Sequence, residues 1–171
     1  LQNKVRTFDN CEASRNLHPN NASQLHNHCQ FSADRVPMPT TILIVEDEIL
    51  IAIEMEEVVR DLGYQSAGVA DDMRSAMEKA SDSVDVALVD VNLADGATGP
   101  AIARKLVADF GIDVVFVTAN PHQLGEGIEG TLGALEKPVD VNDLRGVLDY
   151  VIARSQGESV DPPRRLRLFG T

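Results

Sequence analysis

Acidic side chains follow two apolar stretches of this chain, and a hydroxyl and an amine follow two later ones. Glu46 and Asp47 come directly after the first long apolar run, and Asp90 ends another. Thr118 and Lys137 stand at or just beyond the ends of two further runs. Because the carboxyl ends of parallel strands converge on one crevice of an open sheet, we expect these five side chains to form one site.

Three carboxylates in one crevice need a compensating cation. Two unit charges 4 Å apart repel by about 1 kcal/mol in water and by about 4 kcal/mol at an effective dielectric constant near 20. We expect Mg²⁺, since this ion prefers hard oxygen ligands and commonly bridges carboxylates to phosphate. Lys137 adds a fixed positive charge, and the Thr118 hydroxyl can donate to a phosphoryl oxygen.

An aspartate in that setting can act as a nucleophile toward phosphorus. Carboxylates form acyl phosphates when the transferring group is held and its charge is neutralised. A metal ion, a lysine and a hydroxyl supply the required electrostatics. We therefore expect Asp90 to be the nucleophile and Asp47 to bind the metal directly, with Glu46 able to bind it through water. Glu48, the next acid along the chain, is expected to be solvated.

Five apolar, β-branched runs alternate with segments of helical spacing. The predicted strands are residues 42–45, 64–70, 84–89, 114–117 and 131–135. Helices are predicted after each, with Asp72 as an N-cap, Gly111 at a C-terminus and Asp140 or Asn142 at the start of the last one. This alternation predicts an α/β fold, a doubly wound five-stranded parallel sheet.

The segment 120–131 stands where the fourth helix of this alternation belongs. It contains Pro121 and three glycines. Glycine inside a helix costs about 1 kcal/mol relative to alanine. We therefore expect this fourth helix to be short, distorted or mobile.

The charge of the chain is strongly acidic and uneven. The formal net charge is −12, and residues 41–154 carry 22 acidic and 8 basic side chains. A surface this acidic repels phosphate backbones, so we expect no nucleic-acid partner, and divalent cations or basic protein faces fit it better. The two cysteines form no disulfide framework, and no run of about 18 apolar residues occurs. We expect a soluble, cytoplasmic protein without a membrane partner.

Both ends of the chain differ in composition from the middle. Residues 1–39 are polar and aperiodic, so we expect a disordered N-terminal extension, with Met38 as the working start. Its His18, His26, His28 and Cys29 are expected to be solvated rather than metal-bound. We assign residues 40–154 to the folded domain and 155–171 to a flexible basic tail. That tail is shorter than the roughly 50 residues of even a small output domain, which predicts a stand-alone protein.

Four ordered motifs make the middle of the chain resemble the receiver domains of two-component response regulators. They are ILIVEDE at 42–48, VALVDVNLADG at 86–96, VVFVTAN at 114–120 and LEKP at 135–138. The resemblance covers about residues 40–154. It implies the flavodoxin-like, CheY-like strand order 2-1-3-4-5.

The resemblance also implies a role for each site residue. Asp90 would accept a phosphoryl group from a histidine kinase, and Thr118 and Lys137 would hold the phosphate. The Lys137–Pro138 peptide bond would be cis. The implied partners are a sensor histidine kinase or phosphotransfer protein and a downstream regulator. Turnover would be limited to self-phosphorylation and autodephosphorylation. The implied Mg²⁺ ligands are Glu46, Asp47, Asp90 and the backbone carbonyl of Asn92.

Two departures from the family pattern leave the signalling route open. Ala134 stands where the family has its switch aromatic, three residues before the lysine, and the segment 120–131 is rich in glycine. Both fall on the same face, which predicts a remodelled signalling surface. One alternative is an interaction module that works without phosphorylation. A flavodoxin-like cofactor binder is disfavoured, because acids follow the first strand where a phosphate loop belongs.

Overall fold

The chain folds around a central six-stranded sheet. The computed structural model describes residues 39–170, so the predicted N-terminal extension with its histidines and Cys29 lies outside the described residues. The strands are β1 (Thr41–Val45), β2 (Gln65–Ala70), β3 (Val86–Val89), β4 (Asp113–Thr118), β5 (Gly133–Glu136) and β6 (Leu166–Leu168). Their order in the sheet is β2-β1-β3-β4-β5-β6, and the first five are parallel. The predicted order 2-1-3-4-5 is therefore confirmed.

Helices connect the parallel strands, and several of them start and end at the predicted residues. They are α1 (Ile49–Asp61), α2 (Met73–Lys79), α3 (Gly99–Lys105) and α4 (Val141–Ser155). Asp72 caps α2 by accepting a bond from the Ser75 amide, and Asp140 caps α4 in the same way. A π-helical turn continues α3 to residue 110, and Gly111 ends it in the left-handed conformation. No helix within residues 39–170 is long and apolar enough to cross a bilayer.

The sheet is covered on both faces, as a doubly wound fold requires. Alternate side chains of each strand point to opposite faces, so Ile42 and Ile44 join one core while Leu43 and Val45 join the other. Helices α1 and α4 pack on the first face, and α2 and α3 pack on the second. The central strands β1 and β3 are buried on both faces and continuously apolar, which is why they could be recognised in the sequence.

The sixth strand corrects two expectations. The sequence predicts five strands and a flexible tail over residues 155–171, whereas Leu166–Leu168 pairs antiparallel with β5. The parallel sheet would otherwise leave the backbone groups of β5 unpaired at its edge. In β6, Leu166 is 6% exposed while the neighbouring arginines are exposed. The pairing therefore satisfies the sheet edge and buries one apolar side chain.

The helix between β4 and β5 is short, as predicted. Among the residues that connect the two strands only Pro121–Leu124 is helical, as one 3₁₀ turn. Gly127 has a φ of +109°, and a side chain there would clash with the ring of Phe169. Phe169 in turn lies 6.3 Å from Phe116, measured between ring centroids. The glycine-rich segment is thus packed under the C-terminal residues.

Candidate functional site

Paired strand ends place Glu46 and Asp90 side by side. Val45 of β1 pairs with Val89 of β3, and each acid is the next residue along its chain. The Glu46 amide donates to the Ala70 carbonyl (2.8 Å), and the Asp90 amide donates to the Val45 carbonyl (2.9 Å). The sheet hydrogen bonds therefore extend through both acids and fix their backbone positions.

Lys137 joins these two acids across the sheet. Its Nζ lies 2.6 Å from Glu46 Oε2 and 2.6 Å from Asp90 Oδ2. The acids are 2% and 7% exposed, so the contacts are shielded from water. We call Glu46, Asp90 and Lys137 the acid–lysine cluster. It carries two negative charges and one positive charge, which leaves one negative charge uncompensated.

The second oxygen of each acid accepts a weaker bond from the following loop. Glu46 Oε1 accepts from the Glu48 amide at 3.4 Å, and Asp90 Oδ1 accepts from the Asn92 amide at 3.2 Å. Asp90 Oδ1 is thus the oxygen of the nucleophile candidate that Lys137 does not engage. Of the two carboxylate oxygens of Asp90, Oδ1 is therefore the one more available to bond another group.

The cluster shifts the pKa values of two of its members. Burial raises the pKa of Glu46, and the hydrogen bond from Lys137 only partly opposes this. Burial alone would lower the pKa of Lys137, but its hydrogen bonds and charge interactions with Asp90 and Glu46 outweigh it and raise that pKa. The surroundings of Lys137 therefore favour its charged form on balance, whereas those of Glu46 disfavour its charged form despite the contact with Lys137.

The side chains of Thr118 and Asp47 follow strand ends as the cluster residues do, but neither side chain is bonded to the cluster. Thr118 is fully buried at the end of β4, and its Oγ1 accepts a bond from the Asn120 amide at 3.3 Å. Its carbonyl accepts from the Lys137 amide at 3.0 Å. The Asp47 carboxylate has no hydrogen-bond or ion-pair partner within residues 39–170. The structure thus bonds together three of the predicted side chains and leaves these two available.

The donor set has the chemistry of a magnesium site but not its assembled form. Within the described part of the chain, no three histidine, cysteine, aspartate or glutamate side chains are grouped to hold a metal ion. The ammonium group of Lys137 lies between the two buried acids, 2.6 Å from an oxygen of Glu46 and 2.6 Å from an oxygen of Asp90. The oxygens of the two buried acids and of Asp47 are nevertheless hard ligands with excess negative charge. In type and charge they fit a divalent cation.

Gly99 is a site residue that the sequence does not reveal as one. It begins α3, and its amide donates to the Val91 carbonyl at 3.1 Å. A Cβ at this position would clash with the Asp90 carbonyl oxygen and would lie 2.8 Å from the Val91 Cα. The start of α3 therefore packs directly on the backbone of Asp90. The only local signal is a glycine before Pro100 at a helix start.

Arg165 is the second residue that sequence reasoning places elsewhere, in the tail. Its Nη2 donates to the Glu136 carbonyl (2.9 Å) and to the Pro138 carbonyl (3.0 Å), on either side of Lys137. The Lys137–Pro138 bond between them is cis, as the resemblance implies. The period-two alternation of arginine and leucine over residues 165–168 is the signal that could have indicated a strand here.

Known proteins share this arrangement of strands and motifs. The sequence model of the response regulator receiver domain matches residues 42–149. The phyllosphere-induced regulator PhyR of Methylorubrum extorquens is 40% identical over 92 residues, which are 53% of this chain and 34% of that protein. The transcriptional regulatory protein PdtaR of Mycobacterium tuberculosis is 31% identical over 123 residues, 68% of this chain and 58% of that protein. This chain thus spans about a third to somewhat over half of the length of these curated relatives.

Solved structures agree with the sequence matches. The solution NMR structure of the Erythrobacter litoralis PhyR response regulator receiver domain superposes with a TM-score of 0.58 at 30% identity. The superposition covers 73% of this chain and 95% of that one. The likeness therefore extends over nearly the whole of that receiver domain.

Proposed function

Because this chain belongs to the response regulator receiver domain family, we propose that Asp90 accepts a phosphoryl group from a phosphohistidine. The donor would be a sensor histidine kinase or a phosphotransfer protein, and we place the reaction in the cytoplasm. The observation that carries the proposal is the contact of Lys137 Nζ with both Glu46 and Asp90, 2.6 Å from each, in a buried crevice at the strand ends.

The residues divide the work of phosphoryl transfer. Asp90 Oδ1, the oxygen that Lys137 does not engage, attacks phosphorus while the bond from phosphorus to the histidine nitrogen breaks and the histidine leaves with its electron pair. The Lys137 ammonium then compensates the charge on the phosphoryl oxygens, and the Thr118 hydroxyl donates to one of them. Hydrolysis of the acyl phosphate returns the carboxylate. Beyond this phosphorylation and dephosphorylation of itself, we propose no turnover.

Mg²⁺ belongs to this proposal as the cation that the crevice lacks. It would be held by Glu46, Asp47, Asp90 and the backbone carbonyl of Asn92, and it would neutralise charge on the transferring group. Two features support it. The acid–lysine cluster has one negative charge in excess, and the carboxylate of Asp47 has no partner among the described residues.

An exposed apolar surface next to the crevice supports a protein as the phosphoryl donor. Ile49 and Leu50 at the start of α1 are 71% and 79% exposed, and Ile53 follows them one helical turn later. Exposed apolar side chains that cluster beside a site are typical of protein-interaction surfaces. A donor that docks there would bring its histidine to the crevice that Glu46 and Asp47 line. A downstream regulator is expected to bind by protein contact as well.

A small phosphodonor tests the proposal without knowledge of the partner. Incubation with acetyl phosphate and Mg²⁺ should add the mass of one phosphoryl group in an acid-stable, base-labile linkage. Asp90→Asn should abolish the adduct, because the amide is not a nucleophile toward phosphorus. Glu48→Gln, which changes an exposed acid beside the site, should leave it intact. An unchanged mass of the folded wild-type protein in Mg²⁺ would contradict the proposal.

Ala134 favours a second candidate, an interaction module that works without phosphorylation. This residue is buried in β5 at the position of the family's switch aromatic, so no aromatic side chain can swing there. Asp90→Asn separates the two candidates in the host cell, because it should abolish the effect of a phosphoacceptor and leave that of a binding module unchanged. The flavodoxin-like cofactor binder remains disfavoured, because an acidic loop follows β1 where a phosphate-binding loop would be needed.

A further inference from the structure

The C-terminal strand holds the backbone that carries Lys137. Arg165, the residue before β6, bonds the carbonyl oxygens of Glu136 and Pro138. These are the two neighbours of Lys137 in the chain. One guanidinium group therefore brackets the turn from which the lysine side chain extends.

Arg165 is itself anchored from two sides. Its Nη1 forms an ion pair with Asp143, which lies in the first turn of α4. The next residue, Leu166, is buried and pairs with Leu135 of β5. The planar fork of arginine suits this task, because it can bond several oxygens in fixed directions. The position of the guanidinium is thus set by β6, by α4 and by the turn that it holds.

The turn at Lys137 is also supported by β4, whose Thr118 pairs with Glu136. The Lys137 amide donates to the Thr118 carbonyl at 3.0 Å, which ties the turn to β4 on one side. Arg165 supplies the bonds on the other side. Lys137 must reach two carboxylates at once, and misplacement of a group by about 1 Å can cost up to two orders of magnitude in rate. The precision of the acid–lysine cluster therefore depends on how firmly this turn is held.

We propose that Arg165 is a positioning residue for Lys137 in phosphoryl transfer to Asp90, which makes the C-terminal strand part of the phosphoacceptor site. The inference rests on the proposed function of Asp90. It adds a residue outside the 42–149 match, from a segment that follows the matched domain in the chain.

Arg167 provides a matched control on the same strand. It also donates to two backbone carbonyls, those of Pro121 and Gly125, but these belong to the glycine-rich segment. Removing its side chain loosens the tail without freeing the carbonyls beside Lys137. A difference between the two arginine variants therefore reports on the Lys137 turn and not on the docking of the tail in general.

The experiment compares rates of phosphorylation by acetyl phosphate in saturating Mg²⁺, with thermal melts to verify folding. We expect Arg165→Ala to slow the reaction by roughly tenfold. Arg167→Ala should change it by less than about twofold. Arg165→Lys should restore little of the lost rate, since a lysine ammonium group lacks the planar, forked donors of a guanidinium group. Equal slowing by both alanine variants, or none by Arg165→Ala, would overturn the inference. A wild-type protein without an adduct would instead overturn the proposed function.

A double substitution separates positioning from a general structural effect. If Arg165 acts through Lys137, Arg165→Ala should add no further slowing in a Lys137→Ala background. A full additional loss there would refute the inference. If the Lys137→Ala rate is too slow to measure, the ¹⁵N chemical shift of the Lys137 ammonium group in the single arginine variants provides the test instead. It should move in Arg165→Ala and stay in place in Arg167→Ala, and an unmoved resonance in both variants would refute the inference.

Discussion

Lys137 and the two buried acids depend on one another electrostatically. Burial disfavours the charge on Glu46 and on Lys137 alike, and the contact between the two side chains favours the charge on each. Loss of the lysine would leave two buried carboxylates without a cation, which is more costly than loss of an exposed ion pair such as Arg74–Glu78. The residues proposed for chemistry are therefore also residues on which the local fold depends.

Gly99→Ala should damage the site although the substitution adds only one methyl group. The new Cβ would meet the backbone of Asp90 and Val91, which cannot rotate away as a side chain could. Overpacking of this kind typically costs about 1–3 kcal/mol. We expect a lower melting temperature and slower phosphorylation by acetyl phosphate, because the Asp90 loop must move.

Gly146→Ala is the matched control for this substitution. Gly146 lies inside α4, and a Cβ there would meet Pro163 at 3.6 Å, an ordinary contact distance. Alanine favours a helix by about 1 kcal/mol over glycine, so this variant should be more stable than the wild type. Equal stability of the Gly99→Ala protein and the wild type would contradict this prediction, because it would show that the start of α3 can shift to accommodate the methyl group.

The sequence predicts which residues reach the site but not how they pair. Glu46, Asp90 and Lys137 could be found because each follows an apolar strand, and strand ends converge in this fold. That Lys137 bonds both acids, while Asp47 bonds no described residue, depends on side-chain rotamers. These are decided only when the strands and loops are packed. The role of Gly99 is likewise a contact between segments that no local pattern encodes.

At the scale of elements, buried strands were predictable and the edge strand was not. Strands β1 to β5 are either apolar or followed by a segment of helical spacing, as the connections between parallel strands require. This pattern identifies them in the sequence. Strand β6 has three residues, and such a short segment forms only because β5 offers a free edge. The pairing of β6 with β5 is a tertiary contact, and the local sequence of residues 155–171 does not encode it. The local sequence therefore predicts a flexible tail instead.

Tyr64 ties the connection between α1 and β2 to helix α4, and its titration tests that tie. Its hydroxyl donates to Asp149 at 2.8 Å. Burial, and then this hydrogen bond, raise the pKa of Tyr64 to about 12. Because the folded state favours the neutral phenol, the stabilisation is complete below about pH 10, the pKa of an unfolded tyrosine, and is lost as the pH rises toward 12.

Ultraviolet absorbance measures this titration directly, since the chain has two tyrosines and no tryptophan. Subtracting the curve of Tyr64→Phe from that of the wild type isolates Tyr64. The difference should be centred well above pH 10, and Asp149→Asn should move it down by removing the carboxylate that favours the neutral phenol. A difference curve centred near pH 10 would contradict the described contact.

For the whole molecule, the distribution of charge is the feature with the widest consequence. The acidic residues lie mostly in the folded domain, whereas three of the basic ones lie in the C-terminal segment 164–167. Two of those arginines fold back onto the domain, Arg165 onto Asp143 and Arg167 onto backbone carbonyls. The remaining negative charge repels itself, and it includes the buried carboxylates of the acid–lysine cluster and the Asp47 carboxylate, which has no partner among the described residues.

Mg²⁺ should therefore stabilise the whole fold by mass action. An ion that binds only the folded protein adds about 2.7 kcal/mol at a hundredfold excess over its dissociation constant. We expect millimolar Mg²⁺ to raise the melting temperature, Asp47→Asn to remove most of the rise, and Glu48→Gln, an exposed neighbour, to preserve it. Sodium chloride at equal ionic strength controls for screening of the acidic surface. If the salt produces the same rise, or if Asp47→Asn retains it, the stabilisation comes from general screening and not from a metal bound at the strand ends.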